Sequence, residues 1–512
     1  MIEKKIGIID LGSNSIRLVI FKIEQNGRYK ELYNLKVIAR LANHIEANGD
    51  ITSEGIRIVI DALKRFEPIV IHHHVSDVKG IATAAIRSAQ NKKNVLEQIK
   101  QETIFDFRVL SGQEEAYYGY LAVVNSTNVT EGITIDIGGG STEVTYMKGR
   151  ELINSHSFPF GAITLKRQFI LGNEPTDTEL KQLSTFLRTQ FSTLQWVKNK
   201  KVPVIGIGGS ARNLTRLHQS KTNYPLFGLH QYYINPADIK KINQRLMATP
   251  LTERQKLDGL SKDRADIIIP AIEAIYTLVD VVNATSFMMS NKGLREGIFY
   301  EEILKQLQLK FFPSVANETL FQLSKDYEID TKHTSHLLHL ARVFIEECEA
   351  KKIQVFTKEE KEILFKSTKL VQFGEYIDKA SSSQHTFYLL TNRSLDGFDH
   401  LLRLKIACVA SFKSKAIMMN YLSPYKSLLT EKEVDHLELL GSMLKFLNAL
   451  NHTRRGIVLT ITIHQHMQSE LNFSITCQGD YTFEEQNALK HKKHLERSLQ
   501  CKINIHFLLQ ES

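Results

Sequence analysis

Residues 6–21, IGIIDLGSNSIRLVIF, decide the fold. They read as an apolar strand, a turn rich in Gly and Ser, and an apolar return strand, with Asp10 closing the first strand. Residues 132–149, GITIDIGGGSTEVTYMKG, repeat that plan with Asp136 in the place of Asp10. This internal repeat predicts two related α/β domains facing one another.

The repeated turns are where chemistry is expected. In Asp10-Leu11-Gly12-Ser13-Asn14-Ser15 and in Asp136-Ile137-Gly138-Gly139-Gly140-Ser141-Thr142-Glu143, glycine lets backbone N–H groups approach an anion and the hydroxyls add donors. One such turn alone reads as an ordinary hairpin turn; two with the same Asp-x-Gly grammar read as phosphate cradles. A carboxylate beside a phosphate cradle repels its ligand unless a divalent cation sits between them. Asp10, Asp136 and Glu143 are therefore read as direct or water-mediated ligands of Mg2+.

Between and after the hairpins the chain alternates helical and strand patterns. A helical pattern runs from Thr52 to about His74, followed by the apolar segment VKGIATAAIR, a polar helix near 91–102 and the strand pattern FDFRVL. Residues 113–124 read as a helix whose first turn holds Glu114 and Glu115, where the helix dipole favours carboxylates. A long helix near 176–198, a strand-turn-helix at VPVIGIGGSARNL, a helix near 264–282 and a turn entering a helix at GLREGIFYEEI follow. Beyond about residue 306 the texture becomes amphipathic helix with sparse glycine. After residue 451 it alternates as strands again, in IVLTITIHQH, ELNFSITCQ and KINIHFLL. Four regions are predicted: 1–125, 126–305, 306–450 and 451–512, the last a small α+β module.

Bulk properties narrow the partners. The 512 residues are 42% hydrophobic and 24% charged, the balance of a water-soluble globular chain. A formal net charge of +9 draws polyanions, and the absence of a long Lys/Arg block argues against a nucleic-acid tail. Short clusters such as Lys490-His491-Lys492-Lys493 read as solvated faces. The four cysteines stand singly, with no CxxC pair, which argues against a zinc or disulfide framework. No run is long enough for a membrane span, and the N-terminus has no signal-peptide pattern; a cytoplasmic location is expected.

Taken in chain order, IGIIDLGSNSIRLVIF, ATAAIRSAQN, SGQEEA, ITIDIGGGSTEV, IGIGGSARNL, DRADIIIP and GLREGIF resemble the exopolyphosphatase and guanosine-pentaphosphate phosphatase family over about the first 305 residues. The resemblance implies an actin-like, ribonuclease-H-like fold duplicated into two domains, with substrate phosphates in the cleft between them. It places Glu115 where that family keeps the carboxylate that activates the attacking water, leaving Glu114 as a solvated or dipole-complementing neighbour. Hydrolysis needs such a base because water is a poor nucleophile toward an anionic phosphate. Thr83 and Arg87 resemble the family's phosphate-contact strand and turn, and Arg87 would stabilise charge on the transferring group. Arg17, just past the first turn, points either to solvent or to the cleft. Gly208, Gly209 and Ser210 lie where actin-like ATPases bind adenosine, and in this family they close one side of the cleft. Arg264 with Asp266, and Arg295 with Glu296, read as structural ion pairs.

The second half resembles the HD-type helical domain of the long exopolyphosphatases, through His333, His336 and His339, KLVQFGEYI and SSSQHTFYLLTNRSLDGF. An HD site needs adjacent His and Asp; Gln372 and Phe373 stand there and cannot ligate a metal, so no second metallophosphatase centre is expected. The expected activity is release of terminal phosphate from inorganic polyphosphate. Hydrolysis of guanosine pentaphosphate is the alternative, and a non-catalytic sensor of guanosine penta- or tetraphosphate is the reading from another class. A homodimer is expected, with no nucleic-acid partner.

Overall fold

The computed structural model describes residues 2–467 and 470–510. These divide into two compact units, one of residues up to 224 with 229–318, the other of residues 225–228 with 319 onward. The first therefore extends past residue 305 and holds both repeats together.

Its first sheet runs β3-β2-β1-β4-β5, from β1 (Lys4–Leu11), β2 (Ser15–Ile23), β3 (Tyr29–Ile38), β4 (Asp77–Ala82) and β5 (Phe107–Val109). The second runs β10-β11-β9-β6-β7-β8, from β6 (Glu131–Ile137), β7 (Thr142–Lys148), β8 (Glu151–Phe158), β9 (Val204–Ile207), β10 (Tyr233–Ile234) and β11 (Phe287–Met289). In each sheet an antiparallel three-strand meander is followed by parallel strands, β1 beside β4 and β6 beside β9. The repeat seen in sequence is thus a repeat of topology, with β10 added at one edge. The architecture is mixed α/β.

Apolar alternation explains the layers. Ile9, Leu11, Ile16, Leu18 and Ile20 face the helix Ser53–His72, whose Ile56, Val59, Leu63 and Phe66 recur at helical spacing. Ile6, Ile8, Val19 and Phe21 take the other face and join Leu121, Val124, Met147, Ile298 and Ile303 in a core shared by the two sheets. The helices Gly112–Val124 and Leu294–Leu307 supply much of that shared core, and Phe21 stacks on Phe299 with ring centroids 4.0 Å apart. The third core surrounds β6, β9 and the helix Ile268–Val282, most of whose residues are buried.

The second unit combines helices from Thr331–Ala350 to Glu431–Ala449 with a sheet ordered β12-β13-β14 (Val458–Met467, Glu470–Cys477, Lys502–Leu509). The helix Thr482–Leu499 connects the parallel strands β13 and β14. Phe473 packs edge to face on both Phe344 and Phe446, so helices and sheet share one core. Phe373 is fully buried against Tyr327, and the Gln372 amide faces the Arg454 guanidinium. His333 uses both ring nitrogens on Asn448 (3.0 Å) and Asn451 (2.9 Å), and His339 Nε2 lies 3.1 Å from the Leu459 carbonyl. Among the described residues no helix is long and apolar enough to cross a membrane.

Candidate active site

Strand register brings the two turns to the same place. Asp10 pairs with Arg17 across β1 and β2, and Asp136 pairs with Glu143 across β6 and β7. Each turn is closed by the same hydrogen bond, from the Gly12 amide to the Ser15 carbonyl (3.1 Å) and from the Gly138 amide to the Ser141 carbonyl (3.0 Å). A Cβ at Gly139 would lie 3.0 Å from the Cβ of Ser13, so the turns approach each other as closely as a glycine allows.

A cleft of about 430 Å³ opens at this meeting point. Gly12, Ser13, Asn14, Ser15, Arg17, Thr83, Glu115, Gly138, Gly139, Ser141, Gly208 and Gly209 line it together with Asp10, Asp136 and Glu143. Four residues expected at the phosphates are elsewhere. Thr142 is fully buried and donates to the Phe160 carbonyl (2.7 Å), and Ser210 is buried 3.4 Å from the Ile137 carbonyl. Gly140 and Arg87 line a neighbouring cavity that shares Ser13, Ala84, Gly139 and Ser141 with the cleft.

Glu115 and Glu114 are separated by capping. Ser111 caps the helix Gly112–Val124, its hydroxyl accepting from the Glu114 amide, while the Glu114 carboxylate accepts from the Ser111 amide (2.8 Å). Glu114 also meets Arg108, and the Ser111 amide holds its pKa down. One residue on, Glu115 turns into the cleft and accepts from Arg87, whose guanidinium is anchored on the Leu110 carbonyl (2.9 Å). Burial raises Glu115 to about 7 against the pull of Arg87, and Asp10 and Asp136 push the same way. Burial and then the Asp10 charge raise Asp136 to about 6; burial, Glu115 and Asp136 raise Glu143 to about 8. Asp10 is also raised by burial, with Arg295 opposing.

The glycines after β9 serve side chains. Gly208, at φ +79°, leaves room for the Asp136 carboxylate, where a Cβ would lie 2.4 Å from Oδ1. Gly209 lies under the Arg264 guanidinium, 2.3 Å from the position a Cβ would take.

The cations come from farther away. Arg295 Nη1 donates to Asp10 Oδ2 (2.9 Å), and Arg264 lines the cleft, so neither forms the structural ion pair expected with its near neighbour. Glu296 instead caps its own helix, accepting from the Gly293 amide (2.9 Å). Lys36, Arg212 and Arg216 complete the basic wall, and sequence reasoning missed all three. The i, i+4 spacing of Arg212 and Arg216, on the helix opened by Gly208 and Gly209, was the available signal. Burial and then Arg17, Arg216 and Arg295 lower the proton affinity of Arg212, as expected for cations that lack a shared anion. Asn14 Nδ2, Asn291 Oδ1 and Arg295 Nε are buried at the cleft without a protein partner.

The Asp10 charge raises Asp136 and the Asp136 charge raises Glu143, a repulsion that a hard cation among them would relieve, so the donor set suits Mg2+. Among the described residues no three His, Cys, Asp or Glu side chains form a complete ligand group. Mg2+ does not require one, because it keeps waters and takes phosphate oxygens alongside one or two carboxylates.

Comparison with known proteins identifies the family. Residues 19–306 match the Ppx/GppA phosphatase family, and residues 315–498 match Ppx/GppA phosphatase, domain III. A protein of Vibrio atlanticus (strain LGP32) named guanosine-5'-triphosphate,3'-diphosphate pyrophosphatase is 24% identical over 396 residues, 76% of each chain. The solved Aquifex aeolicus Ppx/GppA family member is 30% identical with a TM-score of 0.53, covering 60% of this chain and 99% of its own. An exopolyphosphatase from Cytophaga hutchinsonii is 25% identical with a TM-score of 0.54, over 60% of this chain and 99% of its own.

Proposed function

The chain belongs to the Ppx/GppA phosphatase family, and from that premise we propose that it removes the terminal phosphate of inorganic polyphosphate. The observation that carries the choice of substrate is the wall of the cleft. Arg17, Lys36, Arg212, Arg216, Arg264 and Arg295 line it, and among the described residues no aromatic ring does. Six cations suit a chain of phosphates; a guanine base would need a stacking face.

In this reading Glu115 accepts a proton from a water whose oxygen attacks the terminal phosphorus. The bond from that phosphorus to its bridging oxygen breaks, orthophosphate leaves, and the electron pair stays on the new terminal oxygen of the shortened chain. Arg87 orients Glu115, the turn amides at residues 13, 14, 139 and 141 hold phosphate oxygens, and the basic wall holds the chain. Asp10, Asp136 and Glu143 would hold Mg2+, which supplies counter-charge to the phosphates. A carboxyl poised near neutrality suits a general base and has no use in a pure sensor. We also read the helical part of the second unit as HD-like, with Gln372 and Phe373 kept for packing.

Phosphate release from long polyphosphate and from guanosine pentaphosphate, measured side by side with magnesium, tests the proposal. The expected result is a higher kcat/KM on polyphosphate and a loss of about 10²-fold or more in kcat for Glu115→Gln. A higher kcat/KM on guanosine pentaphosphate would make the nucleotide the substrate, in line with the name of the Vibrio relative. Near-normal turnover by Glu115→Gln would move the base elsewhere.

A further inference from the structure

Two cavities meet at the paired turns, and they carry different side chains. The cleft holds the carboxylates and the basic wall. The neighbouring cavity, of about 630 Å³, has none of that wall. Its charged side chains are Arg87 and Arg167, which donates to Asn43 Oδ1 (3.2 Å), and His156 adds an imidazole. Among the described residues no carboxylate lines it. It reaches solvent where Ser88 and Arg167 are exposed.

The partition between the cavities is thin. Ser13, Ala84, Gly139 and Ser141 line both sides. Two hydrogen-bonded pairs straddle it. Glu115 lines the cleft, and its donor Arg87 lines the neighbouring cavity. Glu143 lines the cleft, and its donor Ser157 (2.8 Å), opposite it across β7 and β8, lines the neighbouring cavity. A Cβ at Gly112 would lie 2.3 Å from Ser157 Oγ and one at Gly139 3.0 Å from Ile163 Cδ1, so larger residues would crowd the partition from either point.

A chain of phosphates lying on the basic wall ends at Glu115 and the turns. The orthophosphate cut from it forms against the partition, with the shortened chain on its other side. Departure through the cleft would require the chain to leave first; departure through the partition would not. We propose that the neighbouring cavity is the exit for orthophosphate, with Arg87 at its gate and Arg167 and His156 along it, so that the shortened chain keeps its place. This rests on the reading of the cleft as the site of phosphate release. Glu115 takes the proton of the attacking water and becomes neutral, and the Arg87 guanidinium then exchanges a neutral carboxyl for the charged orthophosphate. The proton passes from Glu115 to the departing phosphate, which leaves as dihydrogen phosphate, and the restored carboxylate draws Arg87 back.

Phosphate formed and phosphate set free, followed side by side after rapid mixing with magnesium and polyphosphate, test the exit. Acid quench counts the first and a fluorescent phosphate-binding protein the second. Ser88→Trp fills the outer end of the cavity and Arg167→Glu places a negative charge there; both positions lie outside the cleft lining. In each variant phosphate should form at the wild-type rate and be set free about tenfold or more slowly. If Ser88→Trp impairs folding, formation falls as well, and Arg167→Glu decides alone. With end-labelled polyphosphate bound and unlabelled polyphosphate added in excess, the wild-type protein should make many cuts in each labelled chain it holds. The variants should make fewer, because the chain has longer to dissociate at each step. Release at the wild-type rate in both variants, or a single cut per encounter in the wild type, overturns the proposal. If orthophosphate forms from guanosine pentaphosphate and not from polyphosphate, the substrate reading falls, and the rates of formation and release on that nucleotide decide the exit. If it forms from neither, both fall.

Discussion

The hairpins β1–β2 and β6–β7 share a turn, a closing hydrogen bond and a register, yet the residue paired with the strand-end aspartate is Arg17 in one and Glu143 in the other. A duplicated backbone therefore presents a carboxylate beside a guanidinium on one side of the cleft and two carboxylates on the other. Arg295 and Arg17 pull the Asp10 pKa down against its burial, whereas Asp136, raised by burial and Asp10, in turn raises Glu143. The symmetric scaffold sets where charges lie, and one position on the return strand sets which half carries a cation beside its aspartate and which gathers carboxylates.

Making the second hairpin a copy of the first should have the largest effect. Glu143→Arg places a guanidinium beside Asp136 and removes a proposed cation ligand, so kcat for phosphate release should fall at least about a hundredfold. A fall of less than threefold would make the asymmetry incidental. Weakening the first hairpin should be milder: Arg17→Gln removes a charge that holds substrate, and KM should rise about tenfold with kcat little changed. A fall confined to kcat would instead place Arg17 at the reacting phosphate.

The pH dependence is subtler. Glu115 must be ionised to accept a proton, so the acid limb of kcat/KM should lie near pH 7. Asp136→Asn removes a like charge that raises Glu115, so the limb of its residual activity should move to lower pH; a limb that stays put would uncouple the two carboxyls. The smallest effect concerns stability. Glu115, Asp136 and Glu143 have folded pKa values of about 7, 6 and 8, above ordinary values of 4.5, 3.8 and 4.5. Their contribution is thus fully present below about pH 4 and is lost as pH rises through 6 to 8. In chelator the Tm contribution of these groups should fall between pH 5 and 8, with a shallower fall for Glu143→Gln. A slope unchanged by that substitution would refute the assignment.

The parts of this site that were legible in sequence are local ones. Asp10 and Asp136 could be read because each sits next to its own turn, and Glu115 because a family motif surrounds it. Lys36, Arg212, Arg216, Arg264 and Arg295 come from a strand edge, the helix after β9, a 3₁₀ turn and the start of the helix Leu294–Leu307. No short window brings them together. Arg295 in particular meets Asp10 across 285 positions of chain, so its neighbour Glu296 was the natural but mistaken partner. Thr142 and Ser210 mislead in the opposite sense, since their hydroxyls fit a phosphate motif but are used on the carbonyls of Phe160 and Ile137.

Gly209 and Arg264 carry a constraint on how this protein can evolve. The guanidinium occupies the volume that any side chain at 209 would need, so the two positions cannot drift independently. A lineage that replaces Gly209 while Arg264 is still present must displace a half-buried cation into the cleft, and it suffers that defect at once. The reverse order, shortening Arg264 first, opens space in which alanine or serine at 209 becomes neutral. Sequences derived from this one should therefore pair arginine at 264 with glycine at 209, and the intermediate carrying both bulky groups should be missing.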